Sequence, residues 1–300
     1  MAADFFVVDV FAEQAYAGNP LAVVLGAERF DDATMQQLAA ETNYSETTFV
    51  YSDQEADGGY RTRLFTPSRE IAFAGHPLIG TAWVIRNVHA AENPGLVKLN
   101  LQVGQIPVSF ENGMDGGEVV WFGAPEVTAG PAVAAVRMAA ALGIQASDID
   151  DRFPVQKMSA GTAAMIVPLS GLEALRRCRL DLQAYEALAA EGFPPLVYLF
   201  CAQTRHPGND LSARFFFEAH GVREDPATGN GAAFLGAYLM NHGVFAPGKH
   251  AWRIEQGHEV RRPSLVQLRV IPDGGSTRIQ VGGKVVAAIQ GNVVGPTKRT

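Results

Sequence analysis

Two stretches about half a chain apart follow one plan: RTRLFTPSREIAFAGHPLIGTAWVI at 61–85 and SARFFFEAHGVREDPATGNGAAFLGAYLM at 212–240. Each has an aromatic strand bearing an arginine, then a polar acidic connection. Next comes a turn of a small residue, a glycine and a polar residue, Ala74-Gly75-His76 or Thr228-Gly229-Asn230. An apolar helix follows, with a second glycine and an aromatic, Gly80 and Trp83 or Gly236 and Tyr238. This is the mark of an internal duplication, and it predicts two similar domains.

Short β-rich runs dominate the rest. They lie at 5–11, 21–25, 47–51, 60–66, 96–111, 118–123, 164–169, 196–201, 212–218, 264–271 and 276–294. Several alternate apolar and polar residues, the period of a sheet with one wet face. Helical periodicity is clearest at 32–41, 76–87, 131–142, 171–178, 181–190 and 230–241. The class is therefore α+β with strands in excess, and regular βαβ alternation is not evident. Gly282-Gly283-Lys284, between two β-rich runs, reads as a hairpin turn.

If the repeat is real, each half supplies a helix whose first turn carries unpaired N–H groups and a partial positive charge. Such ends bind carboxylates and phosphates, and glycine lets a ligand approach the backbone. The plainer reading makes Gly75 and Gly229 turn residues with positive φ and the two helices the buried axes of their domains. The two readings are compatible.

The chain is 47% hydrophobic and 18% charged, an ordinary globular balance. Its formal net charge of −7 and scattered basic residues argue against nucleic acid or an anionic membrane as partner. The opening MAADFFVVDVFAEQ is broken by Asp4, Asp9 and Glu13, unlike a signal peptide, and no window has the length of a membrane span. A cytoplasmic protein is expected. With only Cys178 and Cys201, a disulfide framework is ruled out, and both read as structural. No HExxH, CxxC pair, Walker loop, Rossmann fingerprint or GxSxG elbow is present, so neither a metal nor a nucleotide cofactor is expected.

Three residues could carry chemistry. His76 flanks a proline, Pro77, read as the first helical residue, beside a helix end that favours its neutral form. Asp225, ahead of Pro226 and three residues before Thr228, reads as an Asx-type turn or N-cap, or as a carboxylate at the mouth of a site. Glu46 stands before a β-branched strand, where an acid is ordinarily a solvent-facing charge.

Taken together, DVFAEQAYAGNPLAVVL, ETNYSETTFV, FTPSREIAFAGHPLIGTA, GVREDPATGNGAA, IEQGHEVRRPS and VGGKVV resemble the PhzF-like family, the phenazine-biosynthesis isomerases and their relatives. The resemblance spans nearly the whole chain. It implies a diaminopimelate-epimerase-type fold: two pseudo-symmetric domains, each a β-roll around a central helix, with the active site between them. The expected domains are 1–125, completed by a C-terminal strand at about 288–300, and 126–287. It also implies a cofactor-free isomerase, often a homodimer, acting on a small carboxylic acid.

In the family pattern the catalytic carboxylate falls on Glu46, the histidine on His76 and the second acid on Asp225. Gly75, Pro77, Thr228, Gly229, Asn230 and Gly231 fall on the substrate-binding turns. Asn230 stands where serine is common. Epimerase relatives need thiols at the places of Gly75 and Thr228, and neither is cysteine here, so two-thiol racemisation is excluded. The expected chemistry is transfer of a proton between carbons of a small unsaturated acid, with Glu46 as base and then acid. Two alternatives remain at this stage: a non-catalytic binding or regulatory protein, and a hydrolase or lyase on the same scaffold.

Overall fold

The structure is a computed structural model that describes residues 3–90, 92–113, 116–217, 222–245, 248–273 and 276–295. The chain forms two compact units, Met1–Gly123 with Gly282–Thr300, and Ala124–Val281.

The first unit contains β1 (Ala3–Val10), β2 (Asn19–Leu25), α1 (Asp32–Thr42), β3 (Thr47–Gln54), β4 (Gly59–Phe65), β5 (Glu70–Ile71), α2 (Gly75–Val84), β6 (Leu96–Leu101), β7 (Gly104–Asn112) and β8 (Glu118–Gly123). The second contains β9 (Thr128–Val133), α3 (Ala135–Ala141), β10 (Val155–Ala160), β11 (Thr162–Pro168), α4 (Leu172–Arg177), α5 (Leu182–Ala190) and β12 (Val197–Cys201). It continues through β13 (Leu211–Phe217), β14 (Val222–Asp225), α6 (Gly229–His242), β15 (Ala251–Gln256), β16 (Ser264–Asp273) and β17 (Ser276–Gly283). Then β18 (Val285–Val293) returns to the first unit and pairs antiparallel with β1.

The pairings repeat with an offset of nine strands. β1–β2 and β10–β11 are antiparallel, β2–β3 and β11–β12 parallel, β3–β4 and β12–β13 antiparallel. β4–β5 and β13–β14 are antiparallel, β4–β6 and β13–β15 parallel, and β6–β7 and β15–β16 antiparallel. β18 beside β1 corresponds to β9 beside β10. The duplication visible in two segments therefore extends over the whole fold.

Each parallel pair is bridged by helix, because parallel neighbours need a crossover. The crossovers are α1, α2, α4 with α5, and α6. Alternating βαβ units are not evident in the sequence, yet the fold contains them. At α2 and α6 the hairpin strands β5 and β14 are interposed before the helix, whereas at α1 and at α4 with α5 only the pairing across the sheet reveals the unit.

In the first unit α2 packs against β1, β2, β3, β6, β7, β8 and β18, and nine of its ten residues are buried. A Cβ at Gly80 would stand 2.7 Å from Leu21 Cδ2 and 2.8 Å from Val10 Cγ2, so the helix lies directly on β1 and β2. Thr81 donates to Thr48 on β3 at 2.9 Å. On another face of the sheet, α1 covers Val24, Phe49 and Phe65 with Met35 and Ala39. In the second unit α6 packs on β10, β11 and β16, with Gly236 under Leu268. The helices α3, α4 and α5 cover Met165, Val167, Val197, Leu199 and Phe216.

The acidic connection of each repeat has one job. Arg63 forks onto Glu70 at 2.8 and 2.7 Å, and Arg214 onto Glu224 at 2.9 and 2.7 Å. The partner acid faces the aromatic two residues beyond its arginine in both, Phe65 opposite Glu70 and Phe216 opposite Glu224. Each guanidinium also lies over that ring, at 5.1 and 4.8 Å.

Several boundaries differ from those expected. The run at 96–111 is two paired strands, turning at Gly104 with φ 110°. The helix expected over 131–142 begins at Ala135, because Ala132 and Val133 pair with β10. The helix expected to reach 87 is α-helical to Val84 and widens to a π turn over Ile85–His89. Gly282-Gly283-Lys284 is no hairpin: it is where the chain leaves the second unit for the first. A Cβ on Gly282 would meet the Trp121 ring at 2.5 Å.

Candidate active site

In the first unit the site is built on the start of α2. Ala74, the N-cap, is extended and gives no side-chain cap, so the first N–H groups of α2 have no capping oxygen. Pro77 is the third helical residue rather than the first. It is tolerated because the first turn has no intrahelical acceptor for its missing N–H.

His76 follows Gly75 and is 4% exposed. Burial pushes its imidazole down to about 3, so the ring is neutral. Its Nδ1 lies 3.5 Å from Glu46 Oε2 and 3.4 Å from Asn19 Nδ2. Its Nε2 is buried and has no hydrogen-bond partner among the described residues.

Glu46 is brought there by the end of α1. Asn43 closes that helix in the left-handed conformation, φ 54°, and Thr42 bonds Thr47 side chain to side chain at 2.9 Å. Thr47 is locked between Ala22 and Phe65, and Glu46 directly precedes it, so the strand fixes where the Glu46 backbone leaves the turn. Local sequence makes this acid a surface charge; the fold buries it to 6% exposure.

Asn19 went unnoticed in the sequence, where Gly18-Asn19-Pro20 looks like loop punctuation. It is fully buried as the first residue of β2, opposite Val10. The loop before it is tightly wound, with Phe11, Tyr16 and Gly18 at φ 60°, 65° and 66°. A Cβ on Gly18 would stand 2.3 Å from the Val10 carbonyl oxygen, and buried Asp9 accepts the Tyr16 N–H at 2.6 Å. Strain of this kind concentrates where a side chain must be aimed.

In the second unit Asp225, 5% exposed, is the last residue of β14. Its carboxylate accepts the Thr228 hydroxyl. It is not the N-cap of α6: that place is Thr228, whose side chain turns to Asp225 instead of capping. Gln256, 1% exposed and also unnoticed in the sequence, organises the group. Its amide donates to the Asp225 carbonyl at 2.9 Å and to Thr228 Oγ1 at 3.1 Å, and its oxygen accepts from Tyr198 at 3.3 Å.

Gly229, Asn230 and Gly231 form the first turn of α6. A Cβ on Gly231 would be 2.4 Å from the Tyr198 ring, so only glycine fits. Gly75 and Gly229 are not left-handed; each is the first residue of its helix. By contrast α1 and α5 are capped by Asp31 and Asp181 at 2.8 and 3.0 Å. The helices that the duplication singles out, α2 and α6, begin without a side-chain cap, as the shorter α3 and α4 also do, and an open helix start can bind an anion.

The thiols lie elsewhere. Cys178 and Cys201 are buried, bonded to the Ala174 and Gln203 carbonyls, and pushed up to about 12 and about 11 by burial. Among the described residues no group of three or more His, Cys, Asp and Glu could hold a metal ion. Nor is any helix among them long and apolar enough to cross a membrane.

This architecture is a fold of the diaminopimelate-epimerase type. On the fold alone it is similar to a probable proline racemase of Agrobacterium radiobacter, at 11% identity with TM-score 0.62 over 97% of this chain and 93% of that one. The chain belongs to the phenazine biosynthesis-like protein family, whose profile matches residues 8–291. A PhzF-family protein of Bacillus anthracis superposes with TM-score 0.88 at 25% identity, covering 98% of this chain and 99% of that one. An uncharacterised isomerase of Pasteurella multocida is 33% identical over 98% of this chain and 94% of its own length. The trans-2,3-dihydro-3-hydroxyanthranilate isomerase of Pseudomonas aeruginosa is 34% identical over 96% of this chain and 98% of its own length. By this kinship the chain is an isomerase.

Proposed function

We propose that the protein moves a proton between two carbons of a small unsaturated carboxylic acid, with Glu46 as the acid/base. The observation that carries this is the burial of Glu46 at 3.5 Å from a neutral His76, beside the uncapped start of α2. The Glu46 carboxylate takes a proton from a saturated carbon next to the unsaturation. The C–H electron pair enters the conjugated system, the double bond shifts, and the same carboxyl returns the proton to the far carbon. No electrons are gained or lost overall.

His76 and Asp225 hold the substrate's polar groups. N–H groups at the start of α2 and across Gly229-Asn230-Gly231 bind its carboxylate and stabilise charge that develops during transfer. Thr228 holds Asp225 in place, and Asn230 selects among substrates. We further propose that the working form is a cytoplasmic homodimer needing no cofactor, which sedimentation and assay after exhaustive chelation would test.

The decisive experiment is proton NMR in heavy water with a panel of cyclic and amino-bearing unsaturated acids, including trans-2,3-dihydro-3-hydroxyanthranilate. Deuterium should enter a carbon position with the native protein, and Glu46→Gln should lower the rate by about 10²- to 10⁴-fold with binding retained. Near-normal turnover by Glu46→Gln on an accepted acid would overturn the assignment.

A further inference from the structure

Gln256 reaches the turn that carries Asp225 from the end of β15, where its backbone pairs with Ser264 on β16. Its buried amide sits between two backbone groups, the Asp225 carbonyl at 2.9 Å and the Thr228 N–H at 3.4 Å. A carbonyl only accepts and a backbone N–H only donates, so these contacts settle which end of the amide is nitrogen. Turned over, the amide would set oxygen against oxygen and N–H against N–H. The nitrogen gives its second hydrogen to Thr228 Oγ1 at 3.1 Å, and the oxygen takes a second bond from the Tyr198 hydroxyl at 3.3 Å. Tyr198 keeps its proton, because burial and the nearby Asp225 carboxylate push the phenol up. Thr228 Oγ1 therefore accepts from Gln256, and its own hydrogen has one acceptor among the described residues, the Asp225 carboxylate.

Both hydrogens and both lone pairs of the Gln256 amide are thus committed within the protein, and none is left for a ligand. We propose that Gln256 is a positioning residue that acts on Asp225 through Thr228, fixing the direction of the Thr228 hydroxyl and holding the Asp225 carboxylate as an acceptor for a donor group of the ligand. The direction of the bonds follows from the geometry of this unit alone; that the ligand is a substrate rests on the function proposed above. The surroundings suit a part that does not move. Gly257, at φ 78°, lets the turn after β15 press on the residue next to Asp225. A Cβ there would stand 2.5 Å from the Pro226 carbonyl oxygen and 2.3 Å from that of Arg262. The Tyr198 ring lies against Gly231, where a Cβ would be 2.4 Å away, so the residues that orient Asp225 also seat the first turn of α6.

The test titrates Asp225 without any substrate, by carboxyl-carbon NMR of protein labelled with ¹³C-aspartate, the signal being identified by its loss in Asp225→Asn. A hydroxyl donated to a carboxylate favours the charged form, so Thr228→Val should raise the Asp225 midpoint by about 1–2 pH units. Gln256→Glu leaves only acceptors at that place, draws the hydroxyl away from Asp225, and should raise the midpoint too. Its added charge also raises the midpoint, and the double variant separates the two effects. In the Thr228→Val background the rise caused by Gln256→Glu should be smaller by about one pH unit. Equal rises in the two backgrounds, or no rise in Thr228→Val, would overturn the proposal. On an accepted acid, Gln256→Met should lower kcat/KM on the order of tenfold when Thr228 is present and leave it within about twofold in the Thr228→Val background. An equal loss in both backgrounds would make Gln256 part of the scaffold and overturn its positioning role. Where Gln256→Glu does not fold, Thr228→Val carries the titration and Gln256→Met the activity. If no acid on the panel is turned over, the titration still decides, so failure of the two proposals can be told apart.

Discussion

His76 Nδ1 and Glu46 Oε2 lie 3.5 Å apart, both side chains under one-tenth exposed, yet the two residues come from turns thirty positions apart in sequence. The pair has a consequence for acid stability. His76 is pushed from 6.5 down to about 3 in the folded protein by burial, so between those pH values the unfolded chain binds a proton that the folded one does not. Stability therefore rises with pH across this window, is complete above about 6.5, and falls as the pH drops toward 3. The slope from this group is about 1.4 kcal/mol per pH unit. Urea unfolding of His76→Gln, whose side chain does not titrate, should show an acid limb shallower by about that amount. Parallel curves would show that His76 is not buried neutral.

The duplicated arginines make an internal control. Arg214 and Glu224 are 4% and 7% exposed, whereas Arg63 and Glu70 are 16% and 25% exposed. Arg214 also donates to the Leu175 and Cys178 carbonyls, both at 2.9 Å, so its loss strands two buried acceptors as well as a carboxylate. Arg214→Met should cost about 3–5 kcal/mol, as for breaking a buried pair from one side. Arg63→Met should cost clearly less, because water reaches Glu70. Chemical denaturation of the two variants checks the order. Adding Glu224→Leu to Arg214→Met should recover part of the loss, and no recovery would point to the carbonyls rather than the charge.

The duplication was legible because Arg63 with Gly75 and Arg214 with Gly229 repeat in order around apolar helices. What escaped was the parallel pairing: around α2 and α6, β5 and β14 stand between the crossover's strand and its helix, and around α1 and α4 with α5 the strand-helix-strand order is present but its direction is set only by the pairing partner. β9 was lost inside a helical pattern because Ala132 and Val133 suit either state, and only their partners on β10 decide. Of the candidate residues, His76 and Asp225 could be marked from their turns. Glu46 could be marked only by family resemblance, because nothing local announces that α1 and β3 will bury it. Asn19 and Gln256 gave no signal, since an amide's role is set by what it meets across the fold. One trace was present for Asn19, a glycine before it that a tight left-handed turn requires.

Cys178 and Cys201, the two cysteines of the chain, lie outside the turns around Gly75 and Thr228. The family resemblance puts the two thiols expected for two-base racemisation at the places of Gly75 and Thr228, neither of which is cysteine. The cysteines that do exist are poor candidates for recruitment. Burial holds them at about 12 and about 11, and each is bonded to a backbone carbonyl. At pH 8 this leaves only about one thiolate in ten thousand for Cys178 and one in a thousand for Cys201. Iodoacetamide under native conditions should therefore modify neither at an appreciable rate, and unfolding in urea should expose both. On any acid the native protein turns over, Cys178→Ala with Cys201→Ala should leave kcat within about twofold, although both lie in the core and the variant should melt earlier. A loss of turnover without a loss of fold would bring sulfur back into the chemistry.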